Sequence, residues 1–87
     1  MNFFEIGYEN IIEIVLANSS YEAYGFFVIE HASTIECVED VEVRDTYTYD
    51  HQIEVSCIGI PQYKTLKELY EEKTNPQVPM VICSVTP

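Results

Sequence analysis

A two-residue alternation running from Ile35 to Cys57 constrains this chain more than any other feature. Odd positions read Ile35, Cys37, Glu39, Val41, Val43, Asp45, Tyr47, Tyr49, His51, Ile53, Val55 and Cys57, and all but Glu39, Asp45 and His51 are apolar or aromatic. Even positions, from Glu36 to Ser56, contain a single apolar residue, Val38. Successive side chains of a strand point to opposite faces, so this pattern predicts half-buried antiparallel strands. Strands usually run about three to ten residues, which places turns near Glu39-Asp40 and within Asp45 to His51.

The flanking segments extend this reading. Tyr24 to Glu30 is aromatic and β-branched, which predicts a further strand turned by His31 to Thr34 into the one beginning at Ile35. Met80 to Val85 is a short apolar run after Pro79 and suits a buried strand. Thr65-Leu66-Lys67-Glu68 is a capping box, in which the threonine hydroxyl bonds the Glu68 amide while the carboxylate reaches back to the Thr65 amide. Leu66, Leu69, Tyr70 and Lys73 continue at helical spacing until Asn75-Pro76. At the N-terminus, Phe4, Tyr8, Ile11, Ile12, Val15 and Leu16 fit a helical stripe, although the run Ile11 to Leu16 also suits a buried strand. Helix is the preferred reading, and it aligns Glu5, Glu9 and Glu13 on one face. The expectation is thus a single α+β domain over residues 1–87. It comprises an antiparallel meander, a short C-terminal helix at 65–73, a final strand at 80–85 and an N-terminal helix over 4–17.

Charge narrows the function classes. The 87 residues carry fifteen acids against four Lys or Arg, a formal charge of −11, yet 47% are apolar, enough to build one modest core. Residues 1–63 hold all of the imbalance, with Arg44 their one cation besides the histidines. Nucleic acid and anionic membrane would both be repelled by such a surface. Cys37, Cys57 and Cys83 are an odd set without C-x-x-C spacing, the start Met1-Asn2-Phe3-Phe4-Glu5 lacks a basic leader region, and no apolar run is long enough for a membrane span. The expectation is a cytoplasmic protein with buried free thiols.

Chemistry-bearing constellations are weak. Cys37, His51 and Cys57 share one inferred sheet face, but that face is the core, and neither a Cys-His nucleophile nor a zinc site with a short ligand pair is spelled out. Glu39, Asp40, Glu42, Asp45 and Asp50 lack the glycine and terminal glutamate of a calcium loop, and Gly7, Gly25 and Gly59 stand too far apart for a phosphate loop. No enzyme activity, metal or cofactor is therefore expected.

The outward set Glu36, Asp40, Glu42, Asp50 and Glu54, joined by Glu30 and by Glu5, Glu9 and Glu13, is the candidate partner-binding surface. Carboxylates two residues apart along a strand lie about 6.6 to 6.8 Å apart, and a face that served only solubility would mix in lysines. In size, one-signed charge and expected compartment the chain resembles the small acidic DNA-mimic inhibitors, including phage-encoded inhibitors of the bacterial nucleoid protein HU. The resemblance implies a protein that blocks the DNA-binding groove of a basic protein by competitive exclusion, often as a homodimer. Tyr21, Tyr24, Tyr47 and Tyr49 are either interface anchors or packing residues in that reading. Two alternatives stand beside it: an acidic immunity or antitoxin protein plugging a nuclease, and a small accessory domain whose acidity is incidental.

Overall fold

A computed structural model describes residues 1–57 and 59–85, with side chains for all of these except Ser56 and Cys57. Strands β1 (Asn2–Tyr8) and β2 (Ile11–Ala17) form an antiparallel hairpin, with Phe3 opposite Leu16 and Tyr8 opposite Ile11. Helix α1 (Ser20–Glu30) and a single 3-10 turn (Val38–Asp40) lead to β3 (Glu42–Tyr47). Strands β4 (Gln52–Cys57) and β5 (Ile60–Thr65), helix α2 (Leu66–Glu71) and β6 (Met80–Ser84) follow. One sheet has the order β3-β1-β2-β6, and β4 and β5 form a separate two-stranded sheet.

The expected architecture is corrected at three points. There is no N-terminal helix over 4–17, because that segment is the β1–β2 hairpin at the centre of the main sheet. The longer helix is Ser20–Glu30, in the N-terminal third, where a strand was expected over 24–30, and the helix near the C-terminus spans only Leu66–Glu71. The strands also do not form a meander, since β3 and β6 flank the hairpin while β4–β5 pairs apart.

Burial explains the first correction. β1 and β2 are covered on both faces, and central strands of that kind read as continuous apolar runs rather than as alternation. Phe4, Ile6, Tyr8, Val15 and Ala17 pack with Ala23 and Phe27 of α1 and with Val41. Phe3, Ile14 and Leu16 face the other way, against Leu66, Ile82 and the half-buried Tyr49, Ile53, Leu69 and Tyr70. A run buried on both sides places Phe4, Tyr8, Ile11 and Val15 at spacings a helix would also show. The turn between the strands needs a positive φ, and Glu9 adopts it at φ 52.

A second capping signal explains the helix. Ser19 precedes α1 and accepts a hydrogen bond from the Glu22 amide at 3.1 Å, while the Glu22 carboxylate accepts from the Asn18 amide at 2.9 Å. Ser19-Ser20-Tyr21-Glu22 carries the same spacing of hydroxyl and carboxylate as Thr65 and Glu68. That local pattern outweighs the β propensity of Phe26, Phe27, Val28 and Ile29, because tertiary packing and caps routinely override propensity. Gly25 is the exception inside the helix, and a Cβ added there meets nothing within 4 Å. Gly25→Ala is expected to raise stability by about 0.5 to 1 kcal/mol in urea denaturation, since a helix-interior glycine carries that entropic cost. A destabilised variant would show that the position needs glycine.

Helix α2 has the full capping box, with Thr65 Oγ1 accepting from the Glu68 amide at 3.1 Å and Glu68 Oε1 accepting from the Thr65 amide at 3.1 Å. These bonds hold the Glu68 carboxyl below its ordinary range. The next two orphan amides are also satisfied, Leu66 donating to the His51 carbonyl at 2.9 Å and Lys67 to that of Tyr49 at 3.1 Å. Thr65→Ala is expected to cost about 1 kcal/mol. A neutral result in the same urea titration would mean that the backbone bonds from Leu66 and Lys67 suffice to start the helix.

Candidate partner-binding surface

The alternation from 35 to 57 is resolved into several kinds of structure. Even positions from Glu36 to Glu54 are all exposed, but Glu36 and Asp40 belong to a loop and a 3-10 turn rather than to a strand. The expected regular ladder of carboxylates along one sheet face is therefore corrected. Asp50 sits in the turn between β3 and β4, and Glu54 lies on the separate β4–β5 sheet. What the chain brings together is a short acidic segment between α1 and β3. It runs from Glu30, the last residue of α1, through Glu36, Glu39 and Asp40 to Glu42, the first of β3.

Glu5, Glu9 and Glu13 are dispersed, because the helical line that joined them does not exist. Glu5 stands opposite Ile14 and Glu13 opposite Ile6, so the two carboxylates leave opposite faces of the sheet. Glu13 holds His31 Nε2 at 2.8 Å, with the glutamate side chain 12% exposed. Glu5 accepts a hydrogen bond from the Tyr47 hydroxyl at 3.0 Å. Both are internal partners of the fold, and Glu9 is an exposed turn residue at the far end of the hairpin.

Burial of Tyr47, its donation to Glu5 and the negative charges of Glu5 and Asp45 push the phenol up to about 12. A tyrosine raised from about 10 in the unfolded chain favours folding below that value, and the contribution is lost as pH rises through the folded-state value. Tyr47→Phe is expected to remove the highest-pH step from an ultraviolet tyrosine titration. An unchanged titration would place that step on another phenol.

Among the described residues the acidic segment meets a cation only at its end, Glu42. Arg44 approaches Glu42 at 3.8 Å, a surface contact in the range of about 0 to 1 kcal/mol, and Lys64 pairs with Glu72 at 2.9 Å, well along the chain. Arg44 itself lies over β1, where a Cβ on Gly7 would fall 2.6 Å from its Cζ atom. Glycine at position 7 leaves the space that this guanidinium occupies. Glu30 ends α1, whose last turn has no basic residue, so its charge opposes the helix dipole and does not serve folding. The loop around Glu36 is nonetheless ordered by the core, since the Glu36 amide donates to the Tyr8 hydroxyl at 3.1 Å.

The other predicted chemistry does not assemble. Cys37 is exposed in the loop before the 3-10 turn, not on a strand face with His51, and so is not the buried thiol expected. The Cys57 side chain lies outside the described residues, and Cys83 is half-buried, with burial pushing its thiol up. His51 stacks on Tyr47 with ring centroids 3.8 Å apart. Among the described residues, no group of three His, Cys, Asp or Glu is arranged to hold a metal ion, and no helix is long and apolar enough to cross a membrane.

Among the described residues, two open clefts flank this architecture. One of about 430 Å³ is lined by Tyr49, Asp50, Lys67, Tyr70 and Glu71. The other, about 400 Å³, is lined by Ser20, Tyr21, Tyr24 and Val43, next to the acidic segment. Of the four tyrosines singled out, Tyr24, Tyr47 and Tyr49 pack half-buried against the core, whereas Tyr21 is 87% exposed. Val38 and Val43, which sequence reasoning left unassigned to any site, are exposed beside it. The signal that would have located this cleft is the Ser19-to-Glu22 cap, which sets Tyr21 on the first turn of a helix. No family model, curated protein or solved structure matches the chain.

Proposed function

We propose that this protein is a non-enzymatic cytoplasmic inhibitor that binds a basic DNA-binding protein through its acidic surface and excludes duplex DNA. A nucleoid protein such as HU is the favoured target. One observation carries the reading. Glu30, Glu36, Glu39, Asp40, Glu42, Asp45, Asp50 and Glu54 are all exposed, and among the described residues only Glu42 meets a cation.

Such a surface costs the compact state self-repulsion and returns nothing to folding, so a binding role accounts for it. Pairing these carboxylates with the lysines and arginines of a DNA groove releases the groove from its usual ligand. The interaction is electrostatic in its long-range part and should weaken steeply with salt. Irregular spacing along the 30–42 segment makes the mimicry one of net charge and local density rather than of a phosphate-like ladder. The free thiols of Cys37 and Cys83 and the odd cysteine count fit a reducing compartment, which is the basis for placing the protein in the cytoplasm.

Fluorescence anisotropy of a labelled duplex bound to purified HU tests this directly. Added protein is expected to release the duplex, with a midpoint that rises with ionic strength. Undiminished duplex binding at low salt and large excess of the acidic protein would overturn the HU assignment. Inhibition of a nuclease under the same conditions would replace it with the immunity-protein reading.

A further inference from the structure

We propose that the cleft between the start of α1 and β3 receives an arginine side chain from the basic partner; this rests on the basic-partner reading above and names the contact that would anchor it. The walls are aromatic and aliphatic, formed by Tyr21, Tyr24 and Val43, and the opening of about 400 Å³ is wide enough for a long side chain. Tyr24 donates its hydroxyl to the Val38 carbonyl at 2.6 Å, which pins the 3-10 turn carrying Glu39 and Asp40 to the wall of the cleft. The turn bonded to the wall of this apolar slot thus carries two exposed carboxylates.

The chemistry of that combination selects arginine. Its stem packs on Val43, its planar guanidinium stacks on a tyrosine face, and its fork of donors addresses the carboxylates of the neighbouring turn. A lysine ammonium is compact and strongly hydrated, so it gains less from an aromatic wall. A purely apolar side chain would leave the carboxylates unpaired, and an anionic ligand would be repelled. The positive end of α1 lies beside Ser20, but Glu22 in the first turn offsets it. Tyr21 contributes little to the fold at 87% exposure, which makes it a residue that can be removed without unfolding the chain.

The test uses the full chain and two fluorescein-labelled peptides of equal length and charge, one alternating arginine with glycine and one alternating lysine with glycine. The arginine peptide is expected to bind about two- to fivefold more tightly, the range a surface cation–aromatic contact supports. Tyr21→Ala should abolish that preference while circular dichroism stays unchanged, and Glu39→Lys with Asp40→Lys should weaken both peptides. Tyr21→Ala should also need correspondingly more protein to release duplex from HU. Equal affinity of the two peptides, or a preference that survives Tyr21→Ala, would overturn the role of the cleft, and duplex release by the unaltered chain would then show that the acidic surface acts without it. Arginine-selective binding sensitive to Tyr21, but without duplex release, would support the cleft and overturn the nucleoid-protein reading. Failure in both assays would overturn both.

Discussion

Phe3→Ala is expected to destabilise the protein by about 3 to 5 kcal/mol, the range for deleting a fully buried phenylalanine ring. Phe3 is completely buried and lies on the face of β1 that meets the second layer. Its ring contacts Tyr49 edge-on at 5.0 Å, and Tyr49 in turn meets Tyr70 of α2 at 6.3 Å. Removing it would open a cavity between the main sheet and the elements that cover it. Domains of this size are stable by only roughly 4 to 13 kcal/mol, so the variant should lose most of its folded population in mild urea. Loss of near-ultraviolet circular dichroism from the packed tyrosines should accompany it. A cost near 1 kcal/mol would show that α2 and the β4–β5 hairpin do not depend on Phe3 to dock.

The triple change Glu36→Lys, Asp40→Lys and Glu42→Lys is expected to weaken release of duplex from HU by at least roughly 100-fold at low salt. Each reversal replaces an attraction with a repulsion, and an exposed unit-charge pair at contact is worth about 1 kcal/mol in water. The effect should shrink as salt rises, because the charges are fully exposed and screened. Stability should be unchanged or slightly higher, since the substitutions relieve self-repulsion in a chain of charge −11. Reversing Glu5 or Glu13 instead should unsettle the fold, as these carboxylates hold Tyr47 and His31. If the triple variant releases duplex as well as the parent chain does, the 30–42 segment is not the binding surface.

Some elements were legible because their signals are local. The Thr65 and Glu68 cap needs only four residues, and the helix that follows begins at Leu66. Met80 to Ser84 forms a strand, as its short apolar run implied, and pairs with β2. The parity carries through from Tyr47 to Val55, with Tyr47, Tyr49, His51, Ile53 and Val55 half-buried and the even residues between them exposed, whereas Val43 and Asp45 of β3 are exposed like the even residues beside them. The turn within Asp45 to His51 is present at Tyr49-Asp50, closed by the His51 amide on the Thr48 carbonyl at 3.2 Å.

Other elements were not legible, for identifiable reasons. α1 was masked by the aromatic and β-branched residues Tyr24 to Ile29, although the Ser19 to Glu22 cap was present in the chain. Buried residues of α1 include Ala23 and Phe27, but Phe26 and Val28 are also packed and Ile29 is exposed, so no clean helical stripe marks it. The acidic site was legible in composition and not in shape. Residues 36 to 40 lie inside the alternating run, but Val38 and Glu39 break its period there, and they form a loop and a 3-10 turn whose backbone is held by Tyr8 at Glu36 and by Tyr24 at Val38.

The sequence by itself determined the charge and its one-sidedness, the capped helix α2, and which positions from Tyr47 to Val55 meet solvent. These follow from residue identity and from contacts only a few residues apart. Only the tertiary structure decided that residues 2–17 are a hairpin rather than a helix, that Glu5 and Glu13 serve opposite faces, and that Tyr21 and Val43 meet beside the acidic turn. A segment buried on both faces has no polar side to mark its period, so its conformation is set by what covers it: α1 on one side, and α2 with β4 on the other.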